Sequence, residues 1–146
     1  YELIVRDRDM SGNSSTFGEY RISFEVVNES TVSNVLNYPN PFTSYTRFVF
    51  TLTGSRVPDF FKIQIMSASG TVVRELTEAD LGPIHIGRNV TQYGWDGTDQ
   101  YGAPLANGVY FYRVATSIDG EQIERRENSA IDQYFEKGFG KMVLIR

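Results

Sequence analysis

The chain has 146 residues, a formal net charge of −4 and no cysteine. An acidic chain lacks the basic stripe that nucleic-acid binding requires, so we expect no nucleic-acid partner. The absence of cysteine excludes a disulfide framework and a thiol nucleophile within these residues. No apolar run reaches the length of a transmembrane helix, so we expect no membrane span.

Two short apolar segments open the chain and predict a hairpin. Residues 1–6 form a central apolar run, and residues 20–27 alternate apolar and polar side chains as a half-buried strand does. A polar, linker-like stretch follows at residues 28–33 and marks a possible domain boundary. We therefore expect residues 1–30 to be separate from a main domain at residues 31–146.

The rest of the chain alternates apolar runs with turn residues. The predicted strands are 47–52, 60–66, 71–76, 88–95, 109–117, 122–126 and 141–146. One helical turn is expected at 77–80, capped by Thr77 and ended by Gly82, and a short helix at 129–137. About nine short strands without βαβ alternation predict an all-β fold, an antiparallel β-sandwich.

Few residues in the sequence point to catalysis or metal binding. His85 is the only histidine, and no nucleophile or acid stands at a spacing that would make it catalytic. Asp7 and Asp9 match the opening of a calcium-binding loop, but Gly18 occupies the twelfth position, where the bidentate glutamate belongs. We expect no cofactor. The carboxylates of Asp7 and Asp9 are expected to hydrogen-bond the backbone of their loop, and calcium binding is the alternative.

A second acidic motif surrounds the only tryptophan. Asp96 and Asp99 either bind a cation or accept backbone N–H bonds and thereby fix a turn that buries Trp95, and we favour the turn. The aromatic residues of 109–113 leave open a carbohydrate-binding surface. Alternate side chains of a strand in a sandwich face the core, which argues against that surface.

Several motifs occur in an order that resembles a known family. They are Tyr38-Pro39-Asn40-Pro41-Phe42, a hairpin turn at Gly70, Trp95-Asp96-Gly97 followed by Asp99 and Gly102, and Leu105-Ala106-Asn107-Gly108-Val109-Tyr110-Phe111-Tyr112 before a basic terminal strand. This arrangement resembles the C-terminal sorting domains of proteins exported by the type IX secretion system of Bacteroidetes. It is also similar to the Ig-like domain of the flagellar hook-capping protein.

The resemblance implies an Ig-like (fibronectin III-like) sandwich at residues 31–146 that carries no catalytic residues. It further implies recognition by an outer-membrane translocon and sortase machinery, with export through the periplasm to the cell surface or the medium. The residues that it assigns to sorting are Gly108, Val109, Tyr110, Lys141, Met142, Val143, Leu144, Ile145 and Arg146. Residues 1–30 would be an added hairpin or the closing strands of a preceding Ig-like domain.

The chain also resembles the C-terminal end of gingipain-like C25 family cysteine peptidases or sortase-like relatives, which implies a peptidase parent with its catalytic residues upstream. Residues 120–140 depart from the compact ending of the family, which leaves open whether the domain stays on the mature protein. Two other functions stay open from the sequence: a structural Ig-like accessory module beside a catalytic domain, and a carbohydrate-binding module.

Overall fold

The structure of the chain, a computed structural model, describes residues 2–6, 19–23, 29–123, 135–136 and 138–146. Within these residues the strands are β1 (Glu2–Arg6), β2 (Glu19–Ser23), β3 (Thr31–Tyr38), β4 (Arg47–Thr53), β5 (Phe60–Ser67), β6 (Val72–Leu76), β7 (Gly87–Val90), β8 (Gly108–Ile118), β9 (Glu121–Gln122), β10 (Phe135–Glu136) and β11 (Phe139–Leu144). A single helical turn, α1 (Glu78–Leu81), lies between β6 and β7 in the described part of the chain.

The strands of the main domain form two antiparallel sheets. In the described residues, one sheet has the order β3-β4-β7, and the other has the order β10-β11-β8-β5-β6 with β9 also paired to β8. Strands β1 and β2 form a separate antiparallel pair at the N-terminus. This architecture confirms the predicted all-β sandwich with an extra N-terminal hairpin.

The two sheets pack face to face through aromatic side chains. Phe48 of one sheet meets Tyr112 of the other edge to face, with ring centroids 4.9 Å apart. Phe50 of the first sheet stacks on Phe61 of the second, with ring centroids 4.4 Å apart. Such contacts add to the burial of large apolar rings, so these aromatic pairs contribute to the cohesion between the sheets.

The segment after β3 crosses from one sheet to the other. The chain leaves its pairing with β4 at Tyr38, and the two following X–Pro bonds at Pro39 and Pro41 are cis. Proline cannot donate to a ladder, which ends the strand there as the sequence predicts. Phe42 then forms a parallel bridge with Leu144 of β11, so the segment after β3 pairs with the last strand of the other sheet.

The N-terminal hairpin differs from its predicted packing. Strands β1 and β2 pair as expected, but Tyr20 is 68% exposed and Ile22 is 42% exposed, so this part of β2 is not half-buried. Their cross-strand partners, Leu3 and Val5, are exposed as well. The remainder of the predicted strand, residues 24–27, lies outside the described residues.

The predicted strand at 88–95 is wrong in its second half. Strand β7 ends at Val90 because the hydroxyl of Thr91 accepts the N–H of Phe48 and donates to the carbonyl of Tyr93. The chain then bends toward α1, where Tyr93 donates to the carbonyl of Asp80. A hydroxyl that replaces a ladder partner favours a turn over a continuing strand.

Other boundaries also move. The polar stretch at 28–33 is not all linker, because β3 begins at Thr31 and buries Val32. The terminal strand covers 139–144 rather than 141–146, since the chain leaves β8 after Leu144. Of the predicted helix at 129–137, residues 135–136 are strand, and residues 129–134 and 137 lie outside the described part; so do residues 124–126 of the predicted strand 122–126.

Two local predictions are confirmed. Strands β5 and β6 form a hairpin across the turn at Gly70, whose N–H donates to the carbonyl of Ser67. The helical turn begins after Thr77 and ends at Gly82, and the carboxylate of Asp80 accepts the N–H of Thr77.

Candidate functional site

The terminal strand β11 presents two different faces. Met142 and Leu144 are fully buried in the core, while Phe139 is 37% exposed and Lys141 is exposed. This alternation follows from the two-residue period of a strand whose partner, β8, lies in the wall of the sandwich. The strand is therefore part of the core on one side and part of the protein surface on the other.

The edge of β11 is closed by the proline-containing motif. The side-chain amide of Asn40 donates to the carbonyl of Lys141 and accepts the N–H of Val143, both at 3.0 Å. Backbone atoms of Phe42 continue the ladder, accepting from Ile145 at 2.9 Å and donating to Val143 at 3.0 Å. Asn40 thus supplies one donor and one acceptor where a neighbouring strand would supply a peptide group.

The last residue is fixed by two loops. The backbone N–H and carbonyl of Arg146 bond the side chain of Asn107, at 2.9 and 3.0 Å. Its guanidinium donates to the carbonyls of Asp96 and Gly97. A Cβ on Gly97 would lie 2.7 Å from that guanidinium and 2.9 Å from Leu144, so only glycine allows this approach.

The turn around Trp95 has the structure that we favoured from the sequence. Trp95 is fully buried, and its indole N–H donates to the carbonyl of Thr98 at 2.8 Å. The carboxylate of Asp99 accepts two backbone N–H groups, those of Tyr101 and Ala103, each at 2.8 Å. The prediction that these carboxylates bond the backbone and bury the tryptophan is confirmed.

Asp96 has a similar role at the start of the turn. Its carboxylate accepts the hydroxyl of Thr98 at 2.6 Å and the backbone N–H of the same residue at 3.1 Å. Burial alone would raise the pKa of Asp96, but the hydrogen bonds from Thr98 outweigh it, so this pKa lies below its ordinary value. The carboxylate is therefore ionised when it bonds the turn.

The outer face of the larger sheet combines an apolar stripe with a polar row. Val143 and Val109 face each other across β11 and β8, and Phe111 lies between Lys141 and Met66 in the pairing register. Val109 is 37% exposed, while Met66, which pairs with Phe111, is only 6% exposed. The stripe is thus a packed surface rather than a set of isolated side chains.

Beside this stripe, four polar side chains form a row. Lys62 and Gln64 both donate to the carboxylate of Glu75, and Arg113 donates to Gln64 at 2.7 Å. The hydrogen bonds from Gln64 and Lys62 lower the pKa of Glu75 below its ordinary value. The row leaves the positive charge of Arg113 next to the apolar stripe.

The structure separates the residues assigned to sorting. Tyr110 is buried and donates its hydroxyl to the carbonyl of Ala106, so it supports the core rather than the surface. Tyr112 is also buried, which is why the aromatic platform considered at 109–113 does not form; Phe111 is its one outward ring. Gly108 begins β8 opposite Leu144.

Phe139 was not singled out from the sequence, and Asn107 and Phe111 were named only as members of the family-like motif, without a part in the terminal strand or its outer face. Because successive side chains of a strand point to opposite faces of the sheet, Phe111 points away from Tyr110. This alternation could have identified Phe111 as an outward-facing residue. Asn107 contacts a residue 39 positions away, which no local pattern reveals.

Other candidate residues take no part in this site. Asp7 and Asp9 lie outside the described residues. Within residues 2–6, 19–23, 29–123, 135–136 and 138–146, no group of three metal-binding side chains occurs. The backbone of His85 bonds the side chain of Asn89, which places it in a loop. No helix in the described part of the chain is long and apolar enough to cross a membrane.

Comparisons with known proteins agree with this architecture. The chain is similar over 99% of its length to a solved structure of dimeric latent PorU from Porphyromonas gingivalis, with a TM-score of 0.54 and 20% identity. It spans only 12% of that chain, and identity at this level shows the fold alone. No curated protein matches the sequence. Residues 33–120 match the FlgD Ig-like domain family, which is more than half of the chain. The chain therefore belongs to the FlgD Ig-like domain family.

Proposed function

We propose that this chain is a non-catalytic sorting and attachment domain of a larger exported bacterial protein. One observation carries the proposal: three of the four motifs that resemble type IX sorting domains contact the terminal strand or the residues that directly follow it. Asn40 closes its edge, the carbonyl of Gly97 binds Arg146, and Asn107 binds the backbone of Arg146. Motifs that are far apart in the sequence thus hold the same C-terminal segment in place.

The rest of the fold supports a role in recognition rather than chemistry. The carboxylates of Asp96 and Asp99 are engaged by backbone N–H groups of their own turn. An Ig-like sandwich of this kind offers a rigid surface to a partner. The partners that we propose are an outer-membrane secretion translocon, sortase machinery and the upstream domains of the same protein.

The exposed N-terminal hairpin fits a position inside a longer protein. A two-stranded sheet is marginally stable alone, and the apolar side chains of Leu3, Val5, Tyr20 and Ile22 are exposed on one face of it. We propose that this face packs on a preceding domain, as closing strands of that domain would. The resemblance suggests that the parent is a gingipain-like peptidase with its catalytic residues upstream.

The test is a change of destination for a neutral cargo. A periplasmic reporter is fused to the N-terminus of residues 1–146 and expressed in a bacterium that has type IX secretion. We expect the reporter at the cell surface or in the medium, while the reporter alone stays in the periplasm. A folded fusion that stays in the periplasm would instead identify a structural Ig-like accessory module.

Deleting the last six residues is a poor control for this test. The deletion would remove Met142 and Leu144, both fully buried, and each such loss costs about 2–5 kcal/mol. Loss of export would then report unfolding. Single substitutions that leave the core intact are required.

A further inference from the structure

A partner can recognise a strand through its backbone edge, through its inward side chains or through its outward side chains. In the terminal strand β11 only the outward side chains are accessible. Addition of a partner strand to its edge needs free backbone groups. Asn40 and Phe42 already bond the outward groups of Lys141, Val143 and Ile145, and β10 pairs with the strand's first two residues. The edge of β11 is therefore occupied.

Recognition through the inward side chains is excluded as well. Met142 and Leu144 are fully buried among the core residues. A partner could reach them only after the sandwich opened. What the folded domain offers is the outward face of β11 together with the neighbouring face of β8.

That outward face has a defined chemistry. Val109 and Phe139 are each 37% exposed, and Phe111 lies across from Lys141 in the strand register. Lys141 is exposed, and no described carboxylate lies within ion-pair distance of it. Arg113, two residues after Phe111 on β8, adds a second exposed cation. The apolar stripe is thus bordered by positive charge in a chain whose net charge is −4.

We propose that this face, formed by the outward side chains of Val109, Phe111, Phe139, Lys141 and Val143, is the docking surface for a protein partner. The partner presents an apolar surface bordered by carboxylates, which match Lys141 and Arg113. Complementary charge around an apolar centre gives such a contact its specificity. The inference rests on the proposed sorting function and names the surface that carries it.

Matched substitutions on the two sheets test the surface. Lys141→Glu and Val109→Ser alter the proposed face, and Arg88→Glu and Val90→Ser alter exposed residues on the outer side of β7. In the reporter fusion we expect the first pair to reduce export by about tenfold, the effect of losing one charge contact or anchor. The β7 pair and Lys141→Arg should keep export near the wild-type level.

Folding is checked separately, by the fluorescence of the buried Trp95 in each purified variant. If the wild-type fusion is not exported, both the proposed sorting function and the proposed docking surface are refuted. If the wild-type fusion is exported and the folded variants Lys141→Glu and Val109→Ser are exported equally well, only the docking surface is refuted.

A crosslink identifies the occupant. A photoreactive phenylalanine analogue replaces Phe111 in the fusion, and the adduct formed in exporting cells is analysed by mass spectrometry. We expect an adduct with a partner protein. The adduct should be lost in the Lys141→Glu variant and should return when a partner carboxylate beside the crosslinked position is changed to lysine. An adduct with a second copy of this chain, with a glycan or with lipid would overturn the inference.

Discussion

The side chain of Asn40 offers the sharpest test of how the terminal strand is held. Asn40→Ala removes the acceptor of the N–H of Val143 and the donor to the carbonyl of Lys141. Each bond contributes about 0.5–1.5 kcal/mol net, and because Asn40 is exposed we expect a loss of about 1–2 kcal/mol in the free energy of unfolding.

Urea denaturation measures the global effect. With a slope of about 1–3 kcal/mol per molar urea, the midpoint should fall by about 0.5–1 M. Hydrogen exchange measures the local effect, since the amide of Val143 loses its acceptor and should exchange about tenfold faster. Asn40→Asp keeps that acceptor but turns an ionised oxygen toward the carbonyl of Lys141, so it should also destabilise at neutral pH.

Asn107→Ala is the matched control, because Asn107 makes the same pair of bonds with Arg146 instead. It should accelerate exchange at Arg146 and leave the amide of Val143 protected. The reasoning is refuted if Asn40→Ala leaves both the urea midpoint and the exchange of Val143 unchanged, or if the two variants affect the same amides.

Three further substitutions probe the core and the turn beneath it. Trp95→Ala removes a fully buried ring and should cost about 3–5 kcal/mol, seen as a lower thermal midpoint; a loss below about 1 kcal/mol would contradict the packing. Gly140→Ala places a Cβ 2.2 Å from the ring of Tyr112 and should cost about 1–3 kcal/mol in urea titrations, whereas an unchanged midpoint would show that the ring moves freely. Since the pKa of Asp96 is lowered in the folded state, its contribution is complete above about pH 4 and is lost as the pH falls through the folded-state pKa. Asp96→Asn should therefore flatten the acid decline of the thermal midpoint, and an identical decline in both proteins would argue against this role.

Local chemistry in the sequence was sufficient for much of the fold. Alternation of apolar residues identified β5, a long run of β-favouring residues identified β8, and Gly70 marked the hairpin turn. Thr77 and Gly82 bounded the helical turn because capping depends on residues three or four apart. The acidic turn around Trp95 was also predictable, since short carboxylate side chains bond their own backbone.

Contacts between distant residues were decided only by the tertiary structure. Asn40 bonds β11 across 101 and 103 residues, and no periodicity signals that an amide will replace a strand. Strand β7 stops early because Thr91 bonds Phe48, 43 residues away.

The site itself shows the same division. Alternation along β8 and β11 determined from the sequence that Tyr110 and Met142 would each point away from their neighbours. Which side became the core depended on the second sheet, because an apolar side chain is buried only where another layer covers it. That layer buries Tyr110 and Met142 and leaves Phe111 and Lys141 on the face that we propose for docking.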